Sequence, residues 1–162
     1  MDDKTMVKLD KLSLDILNEL QSDARLPNAQ LAELVETSSS SCWRKVKALE
    51  EAGVILRYAA IVDPREMGLS FEAIVHLHLD RHDAEGVEQL TELLKARDEV
   101  VECFATTGDF DYHMRVLCAD IESYNEFLES VLFRHSSIRS TKTNVVLKQV
   151  KSNTPIRGVA TP

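Results

Sequence analysis

Ser38-Ser39-Ser40-Ser41-Cys42-Trp43-Arg44-Lys45-Val46-Lys47-Ala48-Leu49-Glu50-Glu51-Ala52-Gly53-Val54-Ile55 reads as one capped helix closed by a glycine. Cys42, Val46 and Leu49 recur at i, i+4 and i+7, an inward stripe with Trp43 on its flank. Ser40, Arg44 and Lys47, with Ser41 and Lys45, fall outside it. Thr37 or Ser38 supplies the N-cap, and Gly53 the left-handed residue that ends the helix near Ala52. An apolar back behind a front of hydroxyls and bases suits a helix to the DNA major groove.

Working toward the N-terminus, Leu9, Leu12, Ile16, Leu17 and Leu20 predict a first helix over 9–22, stopped before Pro27. Asn28 is expected to cap a second helix over 28–35 that buries Leu31, Leu34 and Val35, and Glu36-Thr37 makes the turn. Asp10 and Asp15 read as solvated. Together these elements are a helix-turn-helix. Val54 to Val62 reads as a strand, with Arg57 and Tyr58 near a wing, and 63–68 as a turn-rich connection.

Beyond it the period changes. Phe71 to Leu79 alternates as a strand, residues 84–96 repeat as a helix, and 100–107 and 112–118 are strands joined at Gly108. Ile121, Tyr124, Phe127, Leu128, Val131 and Leu132 mark a helix, and 138–150 is a long last strand. The predicted class is α+β: an N-terminal winged-helix-like helix-turn-helix domain (1–54), a linker strand and turn (55–68), a ferredoxin-like βαββαβ domain (69–150) and a frayed tail (151–162). In that fold one sheet face lacks helices. Ile74 and His76 make it too apolar for water, so a second copy is expected against it by two-fold pairing.

The net charge of −8 excludes a general nucleic-acid coat. Residues 1–53 hold seven Lys/Arg against ten Asp/Glu, so any DNA contact is a local patch. Cys42, Cys103 and Cys118 form no CxxC pair and are expected as buried thiols rather than disulfides. No stretch is membrane-length and the start lacks a signal peptide, so the expected location is the cytoplasm. There is no Ser/His/Asp set, phosphate loop or metal cluster, so neither an enzyme nor a resident metal or cofactor is expected. His76-x-His78 lacks a third ligand at useful spacing and is read as hydrogen-bonding within or between subunits.

Thr106-Thr107-Gly108-Asp109-Phe110-Asp111-Tyr112 is the other informative stretch. A free α-amino acid needs an acidic acceptor for its ammonium and donors for its carboxylate. Asp109 or Asp111 fits the first need, and Thr106, Thr107 and nearby N–H groups fit the second, while Gly108 lets the backbone approach closely. Taken alone, the loop reads at least as well as a turn in which Asp caps its own backbone. The serine run likewise reads equally as a simple cap with a solvated basic face.

Residues 9–20, the segment from Cys42 to Ile55, and Thr107-Gly108-Asp109-Phe110-Asp111-Tyr112, in this order, resemble the Lrp/AsnC family of leucine- and asparagine-responsive regulators, over about residues 8–150. The resemblance implies a regulator that binds double-stranded DNA and a free amino acid, and dimers assembling to octamers with the effector held between sensing domains. It implies DNA contact by Ser39, Ser40, Ser41, Arg44, Lys45, Lys47 and Arg57. It implies effector contact by Thr106, Thr107, Gly108, Asp109, Asp111 and Tyr112, completed by His135 and Ser136 from a neighbour. The resemblance, nearest to the leucine-responsive subgroup, together with the lack of an obvious charge for a charged side chain, implies leucine or another apolar amino acid such as methionine as the effector. The competing expectation is an architectural protein that wraps DNA and ignores metabolites. Relatives often carry glycine where this chain has Glu36, and glycine before the linker tyrosine where it has Arg57. They often start the third helix with proline, where this chain has its serine run.

Overall fold

A carboxylate opens the first helix. In the computed structural model, which describes residues 9–80, 83–152 and 154–160, Asp10 Oδ1 accepts from the Ser13 N–H (2.9 Å) and from its hydroxyl (2.7 Å), capping α1 (Lys11–Ser22). Helix α2 (Asn28–Leu34) and α3 (Ser39–Glu51) follow. The residue at the cap position of α2 is Pro27, which makes no side-chain cap bond, and Asn28 is the first helical residue rather than the cap. The Asn28 amide instead donates to Ser39 O (2.8 Å) and ties the starts of α2 and α3 together.

The expected stripe of α3 is inside: Cys42 and Leu49 are buried against Ile16, Leu31 and Ala32, with Val46 packed on the same cluster. Each fully buried Leu or Ile here contributes about 1.5–3 kcal/mol. Leu34 does not join them and is exposed, because a two-turn helix docks only a narrow face, here Leu31 and Ala32.

Two helices end alike. After α2, Thr37 N–H donates to Ala32 O (2.9 Å) and Glu36 N–H to Glu33 O (3.2 Å), with Glu36 at φ 52°. After α3, Val54 N–H donates to Leu49 O and Gly53 N–H to Glu50 O (both 2.9 Å), with Gly53 at φ 70°. Both are Schellman turns.

The expected strand over 54–62 is absent among the described residues, because a strand needs a laddered neighbour and the chain supplies none. Nor is the tail frayed. Ile156 N–H donates to Gln21 Oε1 (2.7 Å) and Gln21 Nε2 donates to Ile156 O (2.9 Å), so the tail lies on α1. Residues 1–60 with 151–162 form one compact unit, and 61–150 a second.

The second unit contains β1 (Phe71–Leu79), α4 (Ala84–Lys95), β2 (Val100–Ala105), β3 (Tyr112–Cys118), α5 (Ile121–Phe127) and β4 (Ile138–Val145). A π-helical turn, Leu128–Leu132, extends α5, with Phe133 N–H donating to Leu128 O (2.9 Å). The sheet is antiparallel throughout, in the order β2-β3-β1-β4 of the ferredoxin-like arrangement. Ala73, Val75, Leu77 and Leu79 of β1, with Met114 and Val116 of β3, pack under Leu90 and Leu94 of α4 and Tyr124, Phe127, Val131 and Leu132 beyond. The last strand stops at Val145, short of the expected 150.

The helix-free face is more polar than expected. Register puts Glu72, Ile74, His76 and His78 of β1 there, with His113 and Arg115 of β3, Glu102 and Phe104 of β2, and Ser140, Lys142 and Asn144 of β4. Cys42 and Cys118 are buried thiols, but Cys103 is exposed, because β2 is an edge strand whose residues 101–105 are all exposed.

Candidate functional site

The N-terminus of α3 is built from its own serines. Ser38 Oγ accepts from Ser41 N–H (3.3 Å), leaving Ser39 and Ser40 exposed on the first turn. Arg44, one turn after Ser40, is exposed and makes no ion pair among the described residues. Lys47 lies 5.2 Å from the centroid of the Trp43 ring and 3.7 Å from Glu51 Oε1. Opposite the stripe of Cys42 and Leu49, α3 thus offers Ser40, Arg44 and Lys47 to solvent beside a helix N-terminus that favours anions.

Lys45 is spent differently. Its ammonium is 2.5 Å from Asp10 Oδ2, tying α3 to α1. That pair, with the two bonds from Ser13, holds the Asp10 carboxyl well below the usual carboxylate range. Asp15 likewise pairs with Lys11 at 2.7 Å, so neither acid is simply solvated. Arg57 is exposed in the unpaired stretch after α3, and Tyr58 turns back to donate to Glu50 Oε1 (2.8 Å). Burial, with the Glu50 charge added, pushes the Tyr58 phenol up to about 12. A groove of about 450 Å³ opens here between Leu20, Leu26, Leu31, Trp43, Val46 and Tyr58.

The 106–112 loop sorts its side chains into two groups. Asp111 Oδ2 accepts from the Leu79 N–H (2.8 Å), at the point where the β1–β4 register slips. Tyr112 packs toward α4, its hydroxyl 3.1 Å from Thr91 Oγ1. Thr91 already donates to Val87 O (2.9 Å), so Tyr112 is the donor. Thr106 donates to Phe110 O (3.1 Å) and its N–H to Asp111 O (2.9 Å), closing the loop. The exposed tip is Thr107, Gly108 and Asp109. Gly108 sits at φ 130°, a conformation open only to glycine, with nothing within 4 Å of where a Cβ would stand.

His135 and Ser136 lie at the same end of the sheet. Asp111 N–H bonds Leu77 O (2.9 Å) on the β3 side of β1, and Asp80 N–H bonds Ser137 O (2.8 Å) on the β4 side. Strands flanking β1 are roughly 10 Å apart, so one chain brings the two segments to one rim without bringing them into contact. Ser136 is exposed, whereas buried Ser137 donates to Asp83 Oδ2 (2.8 Å) and its N–H to His135 Nδ1 (3.3 Å).

His113 was not singled out by the sequence. It sits directly opposite His76, Nδ1 to Nδ1 at 2.6 Å, while His78 stacks on Phe110 at 4.3 Å between ring centroids. The signal was available, since alternation along 112–118 and the adjacency of β1 and β3 put His113 on that face. Among the described residues no group of three or more His, Cys, Asp or Glu is placed to hold a metal.

Comparison with known proteins matches both halves. Residues 9–55 fit the model of a winged helix-turn-helix DNA-binding domain, and 72–156 that of the Lrp/AsnC ligand-binding domain. The leucine-responsive regulatory protein of Haemophilus influenzae is 34% identical over 151 residues, 93% of this chain and 90% of that protein. A transcriptional regulator of Neisseria meningitidis, solved as its complex with L-methionine, superposes with a TM-score of 0.87 at 32% identity, covering 91% of this chain and 96% of that one. AsnC of Escherichia coli does so at 0.84 and 27%, covering 93% and 99%.

Proposed function

Because this chain belongs to the Lrp/AsnC family of DNA-binding transcription regulators, with a ligand-binding domain behind a winged helix-turn-helix, we propose that it reads double-stranded DNA with α3 and senses a free apolar amino acid, leucine or methionine, at the tip of the 106–112 loop. The observation that carries this reading is the exposure of Ser39, Ser40, Arg44 and Lys47 along α3 from its N-terminus, with Arg44 in no ion pair among the described residues. Arg44 is assigned to a guanine edge or a phosphate, Lys47 and Arg57 to phosphates, and Ser39, Ser40 and Ser41 to phosphates at the helix start. Lys45 contributes mainly by holding α3 against α1.

At the loop, Asp109 is assigned to the effector ammonium, and the Thr107 and Gly108 backbone to its carboxylate. Asp111 and Tyr112 hold the loop's shape. His135 and Ser136 complete the site from a second copy, since within one chain they stand apart from the tip. Pairing of copies is supported by Leu56 and Ile61, 87% and 72% exposed in a stretch with no strand partner of its own. Assembly to an octamer follows the same logic, with the effector acting only if it binds one assembly or DNA-competent geometry better than another.

A thermal-shift screen of the refolded, ligand-free chain against the twenty amino acids tests the reading. Near one hundred times Kd, the effector stabilises by about 2.7 kcal/mol. A response to leucine or methionine supports the sensor. No response to any amino acid, with DNA binding intact, transfers the chain to the architectural reading.

A further inference from the structure

The helix-free sheet face carries chemistry that neither DNA nor effector binding uses. Its centre is a chain of hydrogen bonds across three strands. Asn144 Nδ2 lies 2.8 Å from His76 Nε2, and His76 Nδ1 lies 2.6 Å from His113 Nδ1. An amide nitrogen only donates, so His76 Nε2 is the acceptor and its one proton sits on Nδ1, donated to His113. Both rings are neutral in this arrangement. His78 and Phe110 stack beside them, with the Phe110 centroid 5.2 Å from that of His76.

The charges around the pair balance. On β1 and β3, Glu72 and Arg115 form an ion pair of 2.7 Å, largely shielded from solvent. On the two edge strands stand Glu102 of β2, opposite Arg115, and Lys142 of β4, opposite His76. With the strands ordered β2-β3-β1-β4, a two-fold axis running along the strands lays each copy's β2 over the other's β4, acid over base, and sets the two histidine pairs near each other. The face is therefore complementary to itself while its histidines are neutral.

We propose that the His76–His113 pair is an acid-sensitive clasp that governs pairing of this face with the same face of a second copy. One added proton makes a cation beside Lys142 and forces the Asn144 amide to turn. A second places two N–H donors nose to nose, which a 2.6 Å separation does not allow, so the rings part. Protonation of the pair adds positive charge beside Lys142 on each face, and two such faces repel. Burial first, then the neighbouring His113 and Lys142, already push the His76 imidazole below its ordinary 6.5. That lowering belongs to the single chain, and a second copy laid over the face buries the ring further, so the paired chain binds protons less readily than the unpaired one and pairing weakens as pH falls toward and below the lowered value.

The clasp rests on the pairing of copies proposed above, and sedimentation of the full chain at constant ionic strength separates the two. The expected result is association at pH 7.5 that weakens about tenfold by pH 5.5, as repulsion between the protonated faces replaces their complementarity. His76→Gln and His113→Gln each flatten that dependence, and His135→Gln leaves it in place. Association indifferent to pH overturns the clasp alone, as does a dependence that survives both substitutions. A chain that never associates at pH 7.5 overturns the pairing and the clasp together. Imidazole proton resonances of the unsubstituted chain give a readout free of any folding defect: His76 must titrate below the ordinary 6.5 of a free imidazole.

Discussion

The front of α3 and the 106–112 loop both attract notice as polar residues around a turn, yet they spend those residues in opposite ways. On α3, burial and capping are assigned to Cys42, Leu49 and Ser38, so Arg44 stands clear of the fold and Ser40 is exposed, touching only the cap. In the loop, Asp111, Tyr112 and Thr106 are consumed in holding the backbone, and only Thr107, Gly108 and Asp109 are left over. A regular helix satisfies its own backbone and frees its side chains. An irregular loop borrows side chains to satisfy a backbone that no ladder serves.

The contrast breaks first at Asp111. Asp111→Ala orphans the Leu79 N–H at the register slip, and loss of a bond to a charged acceptor costs about 2 kcal/mol. Denaturant unfolding reads this as a lower midpoint. Asp109→Ala, at the exposed tip, shifts stability by no more than about 0.5 kcal/mol while abolishing the response to the effector. Equal stability losses for the two would erase the distinction between scaffold and tip.

Arg44 and Lys45 sharpen it on the helix. Arg44→Ala leaves stability within about 0.5 kcal/mol and weakens operator binding about tenfold or more, since a good side-chain contact to a base is worth ~1–3 kcal/mol. Lys45→Ala costs up to about 1 kcal/mol in stability and has the smaller effect on DNA. It also lets the Asp10 carboxyl rise toward its ordinary 3.8, visible in an NMR titration. The sign is fixed by the lowered folded value: the Asp10 contribution is full above 3.8 and is lost as pH falls through the folded pKa.

Elements with a strong period were legible in the sequence: the stripe of α3, the alternation of β1 and the helix of α4 all emerge near their expected bounds. What stayed hidden depends on neighbours that periodicity does not report. The strand expected over 54–62 has the right residues and no ladder partner. Lys45 looks like its basic neighbours until Asp10, 35 residues away, is found beside it. His113 becomes a partner of His76 only once β1 and β3 are paired in register.

The smallest effect lies at the two Schellman turns, which differ in one residue. Gly53 takes its left-handed φ of 70° without a Cβ, whereas Glu36 takes φ 52° with one. No described hydrogen bond from the Glu36 side chain offsets the clash of that Cβ with the following carbonyl, a strain of about 1 kcal/mol. Glu36→Gly relieves it but frees the unfolded chain, so the net gain is below about 1 kcal/mol. It also removes a negative charge two residues before the cap of α3, from the unit that must meet phosphates. Equilibrium unfolding is expected to show a small stabilisation, and operator titration a modest gain in affinity that shrinks with salt. A destabilised variant would mean that the Glu36 side chain supports this turn, and that the two helix ends are held by different means.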